Sequence, residues 1–172
     1  MSDTLKALKD ELAETCQKAF RRGLVGGAGG NISVRVPGED RALITATGIS
    51  LGDIGPETIV LVDLQGKLLE GAPGMRPSKE TGFHVCAYRM RPQVGAVVHL
   101  HPPHATAFAV RGMELPLVTD GAMLSLKHVP VVGTPLPARP SCTASWRRAC
   151  GRTPTRKRSC WKSTACSAWA PT

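Results

Sequence analysis

The stretch Val94-Gly95-Ala96-Val97-Val98-His99-Leu100-His101 decides how this chain reads. It is short, apolar and rich in β-branched residues, and Pro102-Pro103 closes it, so it predicts a buried strand. Residues two apart on a strand point to the same face, which sets His99 and His101 side by side where the strand ends. Two imidazoles at that spacing suit a shared metal ion. Upstream, Pro77-Ser78-Lys79-Glu80 brings a carboxylate within reach, suited to carrying a proton beside that ion.

Outward from this strand, helical and extended patterns alternate. Leu5, Leu8, Leu12, Cys16, Ala19 and Phe20 recur at three- and four-residue steps, which predicts an amphipathic helix capped by Ser2 or Asp3 and stopped by Gly23. Ile32-Ser33-Val34-Arg35-Val36 alternates as a strand, and Pro37-Gly38-Glu39-Asp40 turns it into Ala42-Leu43-Ile44-Thr45. Ile59 to Asp63 and Lys67 to Glu70 read as strands around Gln65-Gly66. Ser78 to Met90 reads as a helix with Ser78 at its N-cap, and His104 to Arg111 resumes a helical pattern. This mixture points to α/β layers over a mostly antiparallel sheet.

Three turns punctuate these elements. Gly29-Gly30-Asn31 frees backbone N–H groups and permits close approach of a ligand. Thr45-Ala46-Thr47-Gly48 adds hydroxyls and another open backbone. Ser78-Lys79 stands at a helix start, where free N–H groups, the helix dipole and a cation all favour an anion. Converging, the three would bind a phosphate.

Taken together, Gly29-Gly30-Asn31-Ile32-Ser33-Val34-Arg35, Thr45-Ala46-Thr47-Gly48, Pro77-Ser78-Lys79-Glu80 with His84, and Val97-Val98-His99-Leu100-His101 follow the order and spacing of one family. Over about residues 5–134 the chain resembles the class II aldolase/adducin family. The resemblance implies a three-layer α/β/α fold with a central, mostly antiparallel sheet, incomplete here at its C-terminus. It also implies a homotetramer and a zinc or other divalent ion held by three histidines, two of which match His99 and His101. The implied reaction is metal-dependent carbon–carbon cleavage of a small phosphorylated sugar through a metal-stabilised enediolate. Glu80 matches the family's acid/base glutamate; Gly30, Asn31, Thr47, Gly48, Ser78 and Lys79 match its phosphate-binding positions. His84 and His104 match no ligand and read as structural or rim residues. Decarboxylation of a 3-oxo sugar-acid phosphate and 4-epimerisation share the same logic. Thr47-Gly48-Ile49-Ser50-Leu51-Gly52-Asp53 together with Pro77-Ser78-Lys79-Glu80 resembles the decarboxylase branch, and an adducin-like binding protein without catalysis is the alternative of a different class.

Composition breaks at a seam near residue 135. Residues 1–134 carry 14 Lys and Arg against all 13 acids, a balance of +1, whereas residues 135–172 carry 8 Lys and Arg and no acid. The tail also holds Trp146, Trp161, Trp169 and four of the six cysteines, at spacings that match no common zinc or redox pattern. Clustered charge such as Arg156-Lys157-Arg158 licenses only non-specific attraction, so no specific nucleic-acid partner is expected. No apolar run approaches the ~18 residues of a membrane span, so no membrane partner is expected either. The N-terminus lacks the apolar stretch of a secretion signal, and a cytoplasmic protein is the expectation.

The family's third metal histidine, in a Leu-Glu-x-His-Gly type motif, has no counterpart after His128. The corresponding region reads Cys160-Trp161-Lys162-Ser163-Thr164-Ala165-Cys166. The genetic code gives a test of this departure. Reading one base earlier forces Leu-Glu across Cys160, Trp161 and Lys162. It then permits Ile or Val, next histidine at Ser163–Thr164, and next glycine. The same shift turns the basic segment 152–158 into triplets that permit an acidic one. Residues 1–134 are therefore expected to form the family domain, and 135–172 to be a frameshifted reading of its C-terminus. Two histidines alone hold zinc poorly, and loss of the normal segment is expected to uncover apolar sheet edges and impair the enzyme. Tyr88 is the chain's only tyrosine, so the tyrosine proton donor of some family aldolases has no evident match near Asp120.

Overall fold

The period of Leu5, Leu12, Cys16 and Ala19 folds as helix α1 (Asp3–Arg21), which buries that stripe and exposes the rest. In this computed structural model the described residues are 3–126 and 129, with the backbone of short strands at 131–132, 160–162 and 165–171. Lys9 is the buried exception on α1, and its ammonium meets the Glu70 carboxylate at 3.1 Å. Strands β1 (Asn31–Arg35), β2 (Arg41–Thr45), β3 (Ile59–Asp63), β4 (Leu68–Glu70) and β5 (Val94–Leu100) follow the expected segments closely. Helix α2 (Thr81–Met90) precedes β5, and α3 (Pro103–Val110) and α4 (Asp120–Leu126) come after it. Strands β6 (Val131–Val132), β7 (Cys160–Lys162) and β8 (Ala165–Pro171) complete one sheet in the order β4-β3-β2-β1-β5-β8-β7-β6. Among these neighbours only β6 and β7 run parallel.

Alternation along the strands splits the core between two faces. Leu43 and Leu61 turn toward α1 with Ile32, Leu51 and Ile54. Ile44, Val60, Val62 and Val97 turn toward α2 and meet Phe83, Val85, Cys86 and Tyr88. Helices therefore cover both sheet faces, the three-layer α/β/α arrangement expected. Each such fully buried aliphatic side chain contributes about 1.5–3 kcal/mol relative to exposure. No described helix is long and apolar enough to cross a membrane.

Two local expectations change. The helix expected from Ser78 starts at Thr81, with Glu80 at the N-cap position. Ser78 instead closes a turn: its Oγ accepts from the Glu80 N–H at 3.2 Å, and its carbonyl accepts from the Thr81 N–H at 3.0 Å. Apolar sheet edges were expected to lie uncovered, but the far edge of β5 is paired by β8, from Val94 opposite Pro171 to Leu100 opposite Cys166. A strand edge offers backbone donors and acceptors whatever the side chains are, so this pairing needed no apolar period in the tail.

Candidate active site

Antiparallel register brings the site together. In β1 and β2, Ser33 lies opposite Ile44, and β1 pairs β5 with Asn31 opposite His99 and Ser33 opposite Val97. The start of β1, the end of β2 and the end of β5 therefore share one end of the sheet. Residues directly opposite point to the same face, so Asn31, Ser33, Val97 and His99 all face α2. Glu80, His84 and Tyr88 form the facing stripe, four residues apart. Four helical residues rise about 6 Å and two strand residues about 6.7 Å, so the stripe meets Asn31, Ser33 and Arg35 rung by rung.

The rungs are hydrogen bonds. Asn31 Nδ2 donates to Glu80 Oε2 at 2.9 Å. His84 Nε2 lies 2.5 Å from Asn31 Oδ1, and His84 Nδ1 lies 2.7 Å from Ser33 Oγ. Ser33 Oγ also lies 2.7 Å from the Tyr88 hydroxyl. Arg35 donates to the Tyr88 carbonyl at 2.5 Å and stacks over its ring at 5.1 Å. Burial pushes the Tyr88 phenol well above its usual range. Tyr88 is fully buried and unable to reach a substrate, which leaves the tyrosine proton donor without a counterpart among the described residues.

At the open end, Glu80 Oε2 lies 3.1 Å from His99 Nε2, which lies 3.1 Å from His101 Nε2. His99 is 2% exposed and its ring packs edge-on against Phe83, while His101 and Glu80 are half-buried. The Glu80 backbone, at φ −97° and ψ 8°, sits in the bridge region where active-site residues are often found. Two imidazole nitrogens in a tetrahedral set with bonds near 2.0–2.1 Å would stand about 3.3 Å apart. The observed 3.1 Å fits two corners of one divalent ion. Among the described residues, no three or more His, Cys, Asp or Glu gather as a metal cage. Ser163 and Thr164, the expected place of the lost histidine, lie outside the described residues, although β8 pairs Ser167 with His99.

The three turns adjoin at this end too. Gly30 has φ +75°, and a Cβ there would sit 2.8 Å from the His99 carbonyl, so only glycine lets β1 start so close to β5. Thr45 Oγ1 accepts from the Ile32 N–H, and the Thr45 carbonyl accepts from the Ser78 N–H at 3.2 Å. Thr47 N–H donates to the Arg76 carbonyl at 3.0 Å, and Ala46 bridges Pro77. Gly48 (φ +80°) and Lys79 are exposed, and Ser78 is buried. The turns thus lie next to one another around Asn31 and Glu80. His104 is exposed at the start of α3, a rim residue as expected. His84 is the residue whose part sequence reading missed, and its signal was the four-residue spacing from Glu80 to Tyr88.

Comparison with known proteins follows this geometry. The family model of the class II aldolase and adducin N-terminal domain matches residues 10–156. The chain is 37% identical over 119 residues to L-fuculose phosphate aldolase of Methanococcus vannielii, covering 69% of this chain and 62% of that one. It is 38% identical over 103 residues to 3-oxo-tetronate 4-phosphate decarboxylase of Haemophilus influenzae, covering 60% and 47%. The chain therefore spans about half to two-thirds of these relatives. The solved structure of L-fuculose-1-phosphate aldolase from Thermus thermophilus superposes with a TM-score of 0.75 at 28% identity, covering 98% of this chain and 80% of that one.

Proposed function

Because this chain belongs to the class II aldolase and adducin family, we propose that it is a metal-dependent lyase that breaks a carbon–carbon bond in a small phosphorylated sugar. The observation that carries this reading is the contact of Glu80 with His99, whose Nε2 also meets the His101 imidazole, beside the three turns. The substrate phosphate is held by the open backbone of Gly30 and Gly48, the side chains of Asn31, Thr47 and Ser78, and the Lys79 ammonium. This fixes the sugar so that the carbon next to its carbonyl lies at Glu80. When the bond breaks, the hydroxyl on the departing carbon gives its proton to the Glu80 carboxylate and becomes the aldehyde carbonyl, the bonding electron pair stays on the other fragment as an enediolate, and Glu80 returns that proton to the enediolate carbon. A zinc or other divalent ion held by His99 and His101 would supply Lewis-acid polarisation of the carbonyl and its neighbouring hydroxyl. The homotetramer and the cytoplasmic setting follow the family pattern and belong to the same proposal.

The tail belongs to it as well. Residues 1–134 are the family domain, and 135–172 are a shifted reading of its C-terminus that has lost the third histidine. The compositional seam and the forced Leu-Glu support this, while the family match to residue 156 pulls the boundary later. Decarboxylation of a 3-oxo sugar-acid phosphate is the second reading, favoured by the Haemophilus influenzae relative.

One experiment addresses these together. The chain, and a version with the frame restored over 135–172, are assayed with Zn²⁺ for aldehyde release from phosphorylated ketoses and for CO₂ release from 3-oxo acid phosphates. Aldehyde release by the restored version, lost in Glu80→Gln, is the expected result. CO₂ release alone selects the second reading. Neither activity in the restored version overturns the lyase, and full activity in the chain as it stands overturns the shifted tail.

A further inference from the structure

Resting on this lyase reading, we propose that His84 is a positioning residue: held by Ser33 as its Nε2–H tautomer, it fixes the Asn31 amide so that Asn31 donates to Glu80. The direction of each hydrogen bond follows from the one before. A Glu80 carboxylate only accepts, so the Asn31 atom 2.9 Å from it must be the Nδ2 donor. The other Asn31 atom, Oδ1, then faces His84 Nε2 at 2.5 Å and needs a proton from it. A neutral imidazole protonated at Nε2 accepts at Nδ1, where the Ser33 hydroxyl lies at 2.7 Å and can donate. That leaves Ser33 Oγ to accept from the Tyr88 hydroxyl. Burial keeps the Tyr88 phenol protonated, so it remains a donor. Every proton in the chain Tyr88, Ser33, His84, Asn31 therefore points toward Glu80, and aligned bonds of this kind reinforce one another.

Reversal at His84 would undo the arrangement. With the proton on Nδ1, a bare Nε2 would face the Asn31 oxygen. The amide would rotate and turn that oxygen onto the Glu80 carboxylate, so His84 acts on the acid/base group without touching it. His84 is 1% exposed, out of reach of any substrate.

The test uses the full chain with labelled histidine. Nitrogen NMR is expected to show His84 as the Nε2–H tautomer, and the Asn31 side-chain amide is expected to be slow to exchange. His84→Gln keeps a donor where Nε2 was, and His84→Asn does not. In the frame-restored form, turnover is expected to fall about 10- to 100-fold in His84→Asn with KM little changed, and to return within about threefold of the parent in His84→Gln. An Nδ1–H tautomer, or equal turnover in the two variants, would overturn the proposal. Absence of turnover in the parent and in the frame-restored form would instead sink the lyase reading. The His84 tautomer in the parent, and slow exchange of the Asn31 amide kept in His84→Gln and lost in His84→Asn, still decide the positioning role. If His84→Asn unfolds, Ser33→Ala serves in its place, with the same loss of amide protection expected.

Discussion

His84 and His99 stand on the same face of the sheet, at 1% and 2% exposure, yet their ring nitrogens keep opposite company. Both His84 nitrogens are engaged by neutral protein groups, Ser33 and Asn31, that the fold fixes in place. The His99 Nε2 is aimed at another imidazole and a carboxylate, a gathering that protein groups alone satisfy poorly and a cation would satisfy well. Burial and residue type are the same, so neither distinguishes a structural histidine from a ligand. The partners do. Neutral partners on both ring nitrogens fit a structural histidine, and a nitrogen aimed at an imidazole and a carboxylate fits the proposed ligand.

Metal titration offers the strongest way to break this comparison. Added Zn²⁺ is expected to raise the melting temperature of the frame-restored form, and His99→Ala or His101→Ala in that form should abolish the rise and cut turnover by more than about 100-fold. His84→Gln should keep the metal-induced rise in full. Thermal scans across a zinc series check both, and a rise that survives in His99→Ala would sink the assignment of the pair.

Ser33→Ala is the intermediate case. It strips the buried His84 Nδ1 and the Tyr88 hydroxyl of their shared partner, and should lower unfolding free energy by about 1–3 kcal/mol. Urea denaturation measures that loss. The zinc response of the variant should stay at the parent value, because the metal pair lies beyond Asn31.

Alkali offers a further test. Folding raises the Tyr88 phenol above its ordinary value of 10.0 and the buried Cys16 thiol from 9.0 to about 12, in both cases chiefly by burial. Both groups therefore hold protons in the fold that the unfolded chain releases. Their stabilisation is complete below pH 9 and declines as pH rises, at most about 1.4 kcal/mol per pH unit for each group. Tyr88→Phe should flatten the decline above pH 10 and leave the part from Cys16 that begins near pH 9. Unfolding free energy measured from pH 8 to 11 checks the two slopes.

Much of this was legible in the residues themselves. The period of α1, the alternation in β1 and β2, and the two-residue spacing of His99 and His101 are local signals, and the structure follows them. The start of α2 was misjudged because a serine before a helix can cap it or close a turn ahead of it, and Ser78 does the second. The part played by His84 was hidden for a different reason. Its four-residue step from Glu80 and to Tyr88 is visible, but which strand residues it meets depends on the register of β1 against β5, a long-range fact. The pairing of β8 with β5 was illegible on the same ground, since nothing local in Ala165–Pro171 names its neighbour.

The place of β5 within the sheet has a consequence for the order in which the molecule comes together. One neighbour, β1, is synthesised before it, and the other, β8, long after. Until β8 arrives, the strand that carries His99 and His101 has one free edge and half its ladder. Closing that distant contact carries the loop entropy of the whole intervening segment, which makes it a late and slow event. The strand of the imidazole pair thus waits on a later-made segment for its second neighbour, and changes in residues 165–171 bear on how that strand is completed.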